Sequence, residues 1–358
     1  MKVCVLGSGN GGQGVAYDFA AAGHQVALWD FERFGGQVEA IRARGGIEAR
    51  GQLEGFARLD YAGFDLARAS ADAELVMLVG PAYATEGFAV AVGAHLRPGV
   101  AYVVCPTSFG GALLFKRCLN LRLGDDTHVV AEMSTLPYAV RAVDGVCQFH
   151  LKLKGGLFLA TLPGRLVDGL LPMLQGVYPA LTTMPNVLGT MLVNGNVTIH
   201  PAVSLLNAGL IDRTGGNFMF YEEGVTEHVG NLMAAVDEER RAIGAALGID
   251  IPTDPELGVR QGYMTEATYH PGYANAPGFR GIRAQPGLDH RYFTEDVGFS
   301  MVFLSDLGRR VGVPTPVIDA MILIVSKVMR RDFAAEQART LATLGLGDWD
   351  AAALRAGL

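Results

Sequence analysis

Residues 196–201 read "NVTIHP", which places an asparagine and a histidine four positions apart in an apolar stretch that closes on a proline. Residues four apart share a helix face, so Asn196 and His200 are expected to point the same way and to meet something polar. Imidazole titrates near neutral pH, so it can polarise a carbonyl and donate a proton to it. A core histidine that hydrogen-bonds a neighbouring asparagine fits the same local pattern. Pro201 removes one backbone N–H, which frees a carbonyl and is expected to kink the helix. A histidine acid needs a carboxylate to hold its tautomer, and "DHRYFTEDV" at 289–297 offers Glu295 and Asp296 with Arg291 beside them. Asp296 also suits the N-cap of a helix beginning near Val297, and the two roles can coexist. Arg291 either grips a substrate carboxylate in a bidentate fork or bridges surface acids, and local sequence alone favours the bridge. His228, His270 and His290 have no such partners nearby and read as structural or exposed.

These groups need a scaffold, and the N-terminus announces one. "KVCVLGSGNGGQGVAYDFAAAGHQVALWD" runs from an apolar strand through Gly7, Gly9 and Gly12 into a helix, then into a second strand ending at Asp30. This is a G-x-G-x-x-G in its β-α-β setting: Gly7 allows the tight turn, Gly9 lets a pyrophosphate approach the backbone, and Gly12 lets helix pack on strand. The helix N-terminus offers free N–H groups to the phosphates, with Asn10 beside them. A carboxylate at Asp30 suits the adenosine ribose hydroxyls and repels a 2′-phosphate, which favours NADH; Arg33 could pair with such a phosphate, so NADPH stays open. "AELVMLVGPA", "VAYVVCPTSFGGALLF" and "THVVAEMS" continue the wound sheet as strands buried on both faces. Pro81, Ala82, Pro106 and Thr107 then lie where a nicotinamide half would sit. Glu132, at the end of its strand, either faces that crevice as a substrate-binding group or serves as a charge at a helix N-terminus. "GVCQFHLKLKGGLFLATLP" alternates about "KGG" as an antiparallel hairpin would, with His150 and Lys152 on its solvated face.

Beyond Pro185 the periodicity turns helical over 187–210, 224–247, 297–311 and 315–330. The segment 252–293 is rich in Gly, Pro and aromatics, among them Tyr263, Tyr269, Tyr273 and Phe279, and reads as an ordered wall. The expected fold is α/β: a Rossmann-type doubly wound sheet over residues 1–184, then an all-α substrate and catalytic domain over 185–358. No lysine occurs between Gly155 and Ser326, so the proton donor that dehydrogenases of this architecture often take from a lysine must be another group. His200 is the natural candidate.

Composition narrows the partners. The 358 residues are half hydrophobic and carry a net charge of -7, which argues against nucleic acid. Four scattered cysteines signal neither a zinc site nor a disulfide framework, so no metal is expected and a reducing cytosol is. "AMILIVSKVM" is too short to span a bilayer, and the first residues enter a strand at once, leaving no room for a signal peptide.

The combination of "GSGNGG", "NVTIHP" and "HRYFTEDVGFSMVFLSDLGRRVGVPTP" resembles the opine dehydrogenase family over essentially the whole chain. The resemblance implies NAD(P)H-dependent reductive condensation of a pyruvate-like 2-oxo acid with an L-amino acid through an imine. By position it implies His200 as the acid that activates the keto carbonyl, Asp296 as its partner, Asn196 as a neighbouring hydrogen-bonder, Arg291 as the carboxylate anchor and Glu132 as an acidic cleft residue. Two other readings stay open: a hydroxy acid dehydrogenase that needs no amine, and a non-catalytic NAD-binding regulator. The sequence leaves a homodimer open.

Overall fold

The computed structural model of the chain describes every residue except Ser108. It divides into two compact units, Met1–Thr190 with Leu358, and Met191–Gly357.

The first unit holds two sheets, whose strands are β1 (Lys2–Leu6), β2 (Gln25–Trp29), β3 (Gly46–Gly51), β4 (Gly55–Arg58), β5 (Tyr61–Gly63), β6 (Leu75–Val79), β7 (Ala101–Cys105), β8 (Val129–Met133), β9 (Tyr138–Val143), β10 (Val146–Lys152), β11 (Leu157–Leu162) and β12 (Leu181–Thr183). The larger sheet runs β12-β11-β8-β7-β6-β1-β2-β5. It is parallel except where β11 meets β8. Every residue of β6 and β7 is buried, which is why these strands read as unbroken apolar runs rather than alternating ones. The smaller sheet runs β4-β3-β10-β9.

The expected hairpin about "KGG" is not formed. β10 joins β3 and β9 in the small sheet, while β11 crosses to β8 and β12 in the large one. Alternation identifies a strand but not its partner, and here the intervening residues carry the chain from one sheet to the other. His150 is exposed as expected. Lys152 instead reaches Asp18, Nζ to Oδ2 at 2.7 Å, and is partly buried.

The second unit is helical. Its principal helices are Asn196–Leu206, Ala208–Thr214, Glu227–Ala246, Asp254–Gln261, Val302–Val311 and Pro316–Met329, with a π-helical segment at Asp296–Met301. The long helix Glu227–Ala246 packs Val229, Met233, Val236 and Ile243 inward and, on the same side, buries the charged pair Asp237 and Arg240. Arg240 Nε donates to Asp237 Oδ1 at 2.7 Å, and its two terminal nitrogens donate to the carbonyls of Leu192 and Pro252. Asp237 also accepts from Thr198 Oγ1 at 3.3 Å, from Asp254 N at 3.0 Å and from the Tyr269 hydroxyl at 2.6 Å. The Tyr273 hydroxyl donates to Asp254. Burial, with the Asp237 charge beside it, pushes the Asp254 carboxyl up to about 6.

This cluster ties the irregular 252–293 segment to the helix that carries His200, since Thr198 is two residues from it. The approach is so close that a Cβ on Gly195 would fall 1.6 Å from Asp254 Oδ1. Removing the cation would leave two carboxylates buried side by side with no counter-charge. Arg240→Ala is therefore expected to cost about 3–5 kcal/mol of stability, read as a lower urea midpoint at unchanged slope.

Candidate active site

The glycine turn is built by what it excludes and what it leaves open. A Cβ on Gly7, which sits at φ +112°, would lie 2.2 Å from the Val79 carbonyl oxygen, and one on Gly12 would lie 1.9 Å from that of Gly7. Neither position tolerates a side chain. A Cβ on Gly9 would meet nothing within 4 Å. Gly9 precedes the helix Asn10–Ala21, whose N-terminus takes no side-chain cap and no acidic residue in its first turn. Backbone N–H groups at an open helix start suit a pyrophosphate.

Asp30 follows β2 and is buried. Its Oδ2 accepts from both the backbone N and the hydroxyl of Ser8 at 2.7 Å each, and its Oδ1 from Phe31 N at 2.8 Å. The carboxylate thus clasps the glycine turn and has roughly one of its four acceptor positions left for a ribose hydroxyl. The Arg33 guanidinium lies over the rings of Phe31 and Phe34, at 4.6 and 5.1 Å. Asn10 Oδ1 accepts from Ala142 N at 2.8 Å, which pins the helix start to β9.

Pro81 and Pro106 follow the C-terminal ends of β6 and β7. Thr107 follows in turn and donates from Oγ1 to Glu132 Oε1 at 2.5 Å. Glu132 is completely buried and also accepts from Thr190 Oγ1 at 2.6 Å and from Ala112 N at 3.0 Å. Ala112 is in the first turn of the helix Gly111–Cys118, so this carboxylate sits at a helix N-terminus, one of its two sequence readings.

In the second unit the structure brings His200 and Asp296 together. His200 Nδ1 lies 2.8 Å from Asp296 Oδ2, and the side chains are 8% and 4% exposed. Asp296 opens the π-helical segment, and its carboxylate bonds the imidazole rather than capping the helix. Burial pulls the His200 imidazole below its usual 6.5, with Asp296 opposing and Arg291 adding to the fall. The other ring nitrogen, Nε2, is 3.4 Å from the Tyr221 hydroxyl. Tyr292 stacks on the imidazole at 3.8 Å between centroids and 21° between planes.

Asn196 is the first residue of the His200 helix and is half-buried; among the described residues its side chain makes no hydrogen bond to His200. Pro201 sits within that helix without ending it. Arg291 is half exposed and pairs with Glu295, Nε to Oε2 at 3.3 Å, so the acid bridge is present. His290 accepts from Tyr292 N and so starts the short helix Arg291–Thr294. Among the described residues no helix is long and apolar enough to cross a membrane, and no group of three or more His, Cys, Asp or Glu could hold a metal ion.

Residues 183–329 match the α-helical domain of the NAD/NADP octopine/nopaline dehydrogenase family, and residues 2–108 match the N-terminus of NAD-dependent glycerol-3-phosphate dehydrogenase. The chain is 34% identical to an opine dehydrogenase of Arthrobacter sp. (strain 1C), over 99% of this chain and 98% of the relative. It belongs to the opine dehydrogenase family. As an opine dehydrogenase it is an NAD(P)-dependent oxidoreductase acting on CH–NH bonds. It is also 25% identical to octopine dehydrogenase of Mizuhopecten yessoensis, over 95% of this chain and 93% of that one. Its fold is that of an octopine dehydrogenase solved with NADH and agmatine, at TM-score 0.81 and 19% identity over 100% of this chain and 98% of that one.

Sequence reasoning missed Tyr221 and Tyr292, the two aromatic neighbours of His200. "NFMFYEEG" carries no helical or strand period that would flag Tyr221, although Tyr292 stands next to Arg291 in a stretch already singled out. It also missed the Ser8 clasp on Asp30.

Gly9 offers a clean test of the phosphate cradle, because its φ of -71° is ordinary and an added Cβ meets no protein atom. Gly9→Ala is expected to leave thermal stability unchanged while weakening NADH binding by about 1.4 kcal/mol, or tenfold, in a fluorescence titration.

Proposed function

We propose that this opine dehydrogenase joins the amino group of a neutral L-amino acid to pyruvate or a similar small 2-oxo acid, with His200 as the acid–base group and Asp296 as its orienter. The observation that carries the reading is the buried 2.8 Å contact between His200 Nδ1 and Asp296 Oδ2. A carboxylate on Nδ1 fixes the tautomer and leaves Nε2 as the working nitrogen. Condensation passes through a carbinolamine that must lose water, and His200 donates a proton from Nε2 to the departing hydroxyl. In the reverse direction the neutral imidazole takes that proton back from water as it adds to the imine.

NADH, when bound, supplies the hydride that reduces the imine, and Gly7, Gly9, Asn10, Gly12, Asp30, Pro81, Pro106 and Thr107 are the residues assigned to hold it. The charge of Asp30 behind the Ser8 turn supports NADH over NADPH. Arg291 meets Glu295 through Nε, and its terminal guanidinium nitrogens are assigned to a substrate carboxylate. Asn196 is assigned a hydrogen bond to substrate near His200. Hydrogen bonds to Glu132 from Thr107, Ala112 and Thr190 support a role in anchoring the Thr107 turn rather than gripping substrate directly.

The test follows NADH oxidation at 340 nm with pyruvate, with and without pooled neutral L-amino acids, and identifies the product by mass. Oxidation that requires the amine and yields keto acid plus amino acid, less water, plus two hydrogens is expected. Oxidation with pyruvate alone would mean a hydroxy acid dehydrogenase. His200→Ala is expected to lose about 10²–10⁴ in turnover with NADH affinity kept. In the opine-oxidising direction His200 acts as a base, so kcat/KM should rise with pH. Because burial pulls the imidazole down, the midpoint of that rise is expected below 6.5.

A further inference from the structure

The geometry points to Tyr221 as a positioning residue for the reaction: its hydroxyl occupies Nε2 of His200 until the substrate oxygen arrives, and an aromatic stack from residues 263–279 holds it there. This rests on the acid–base role proposed for His200.

With Nδ1–H donated to Asp296, a neutral His200 presents a lone pair at Nε2, and the Tyr221 hydroxyl 3.4 Å away donates into it. The tautomer is then fixed from both ends. At 3.4 Å the contact is longer than a good hydroxyl hydrogen bond, so a substrate oxygen at normal distance displaces it readily. Burial pushes the Tyr221 hydroxyl well above its usual range, so it stays protonated, able both to donate and to accept, throughout the working pH range.

The ring is held rigidly. Phe279 stacks on Tyr221 at 4.2 Å and 13°, and Tyr263 stacks on Phe279 at 4.8 Å and 14°. Tyr273 lies parallel to Phe279 at 5.7 Å, and its own hydroxyl is fixed to buried Asp254. The irregular segment therefore does more than wall off solvent. It connects the buried Asp237–Arg240–Asp254 cluster, through stacked rings, to the hydroxyl on the catalytic imidazole.

Other groups that face or influence His200 are Asp296, the stacked ring of Tyr292, the edge-on ring of Phe220, and Arg291 and His290 of the same segment as Asp296. Tyr221→Phe leaves all of them in place and keeps the ring stack. When His200 is protonated the Tyr221 hydroxyl turns and accepts from Nε2–H. A hydrogen bond from a charged N–H is roughly twice as strong as the neutral one it replaces, so the hydroxyl favours the imidazolium over the neutral ring. Its removal is expected to lower the His200 midpoint by about half a unit to one unit.

The experiment titrates the ¹⁵N-labelled imidazoles of the full chain by NMR, with the His200 signal assigned by its loss in His200→Asn. In parallel, kcat/KM is measured against pH for oxidation of the product made from pyruvate and the fastest neutral L-amino acid. In Tyr221→Phe both midpoints are expected to fall together. Phe279→Leu, which keeps the hydroxyl but loosens the stack, is expected to shift them the same way by less. A His200 NMR midpoint unmoved in Tyr221→Phe overturns the inference alone. An NMR midpoint that falls while the kinetic limb stays put overturns the acid–base role of His200, and this inference with it.

Discussion

A buried imidazole and a buried carboxylate, 2.8 Å apart and separated by 96 positions in sequence, form the contact on which the helical unit turns. Neither group is cheap to bury alone, since a desolvated carboxylate needs donors and a desolvated imidazole N–H needs an acceptor. Each answers the other, and the result fixes which ring nitrogen is free. Desolvation still prevails over the Asp296 charge in setting the imidazole below its usual range. The acid–base role proposed for His200, giving and taking a proton at one oxygen, gains from that balance. A histidine locked as imidazolium would be a poor base, and one with no carboxylate beside it would be a poor acid.

The two units solve different problems with different parts of the chain. A pyrophosphate is recognised by backbone N–H groups, so the first unit spends glycines: Gly7 and Gly12 because no Cβ fits, and Gly9 because an open face is wanted. The proton transfer proposed for His200 calls for a titratable side chain, and the second unit holds its side chains rigidly. Asp296 sits at the start of a π-helical segment, a winding that widens the turn and is favoured at functional sites. The Asp237–Arg240–Asp254 cluster works in the same sense, since it lets a segment poor in regular structure hold a fixed shape.

What could be read from the sequence follows from this division. The glycine motif was legible because each glycine answers a backbone requirement that holds wherever the turn occurs. The parallel strands were legible because burial on both faces leaves unbroken apolar runs. His200 was flagged by its setting and Asp296 by its neighbours, but the proximity of the two across 96 positions is a tertiary fact that periodicity does not encode. The partners of β10 and β11 were misread because period-two alternation is indifferent to which strand lies alongside. Asp30 and Glu132 were placed at their strand ends, yet the hydroxyls of Ser8, Thr107 and Thr190 that surround them come from separate segments. Asp237 and Arg240 stand three apart on a helix in "VDEERRAIG", where the surrounding charges suggest a solvated face; only packing shows that this pair is inside while Glu238 and Arg241 are exposed.

Aromatics were the least legible part of the site for a related physical cause. An aromatic in a loop has no period, and its sequence neighbours say nothing about which ring it will meet. The rings of Tyr263, Phe279, Tyr221 and Tyr273 come from two separate segments, and the stacked pairs among them lie within about 15° of parallel. Parallel stacking across segments fixes both distance and orientation, which a purely hydrophobic contact does not. An irregular segment needs that second constraint, because it has no hydrogen-bond ladder to set its angle. The aromatics of residues 263–279 thus perform the orienting role that regular backbone performs elsewhere in the unit, and through Tyr221 they do so next to Nε2 of His200, the nitrogen to which the proposed mechanism gives the proton transfer.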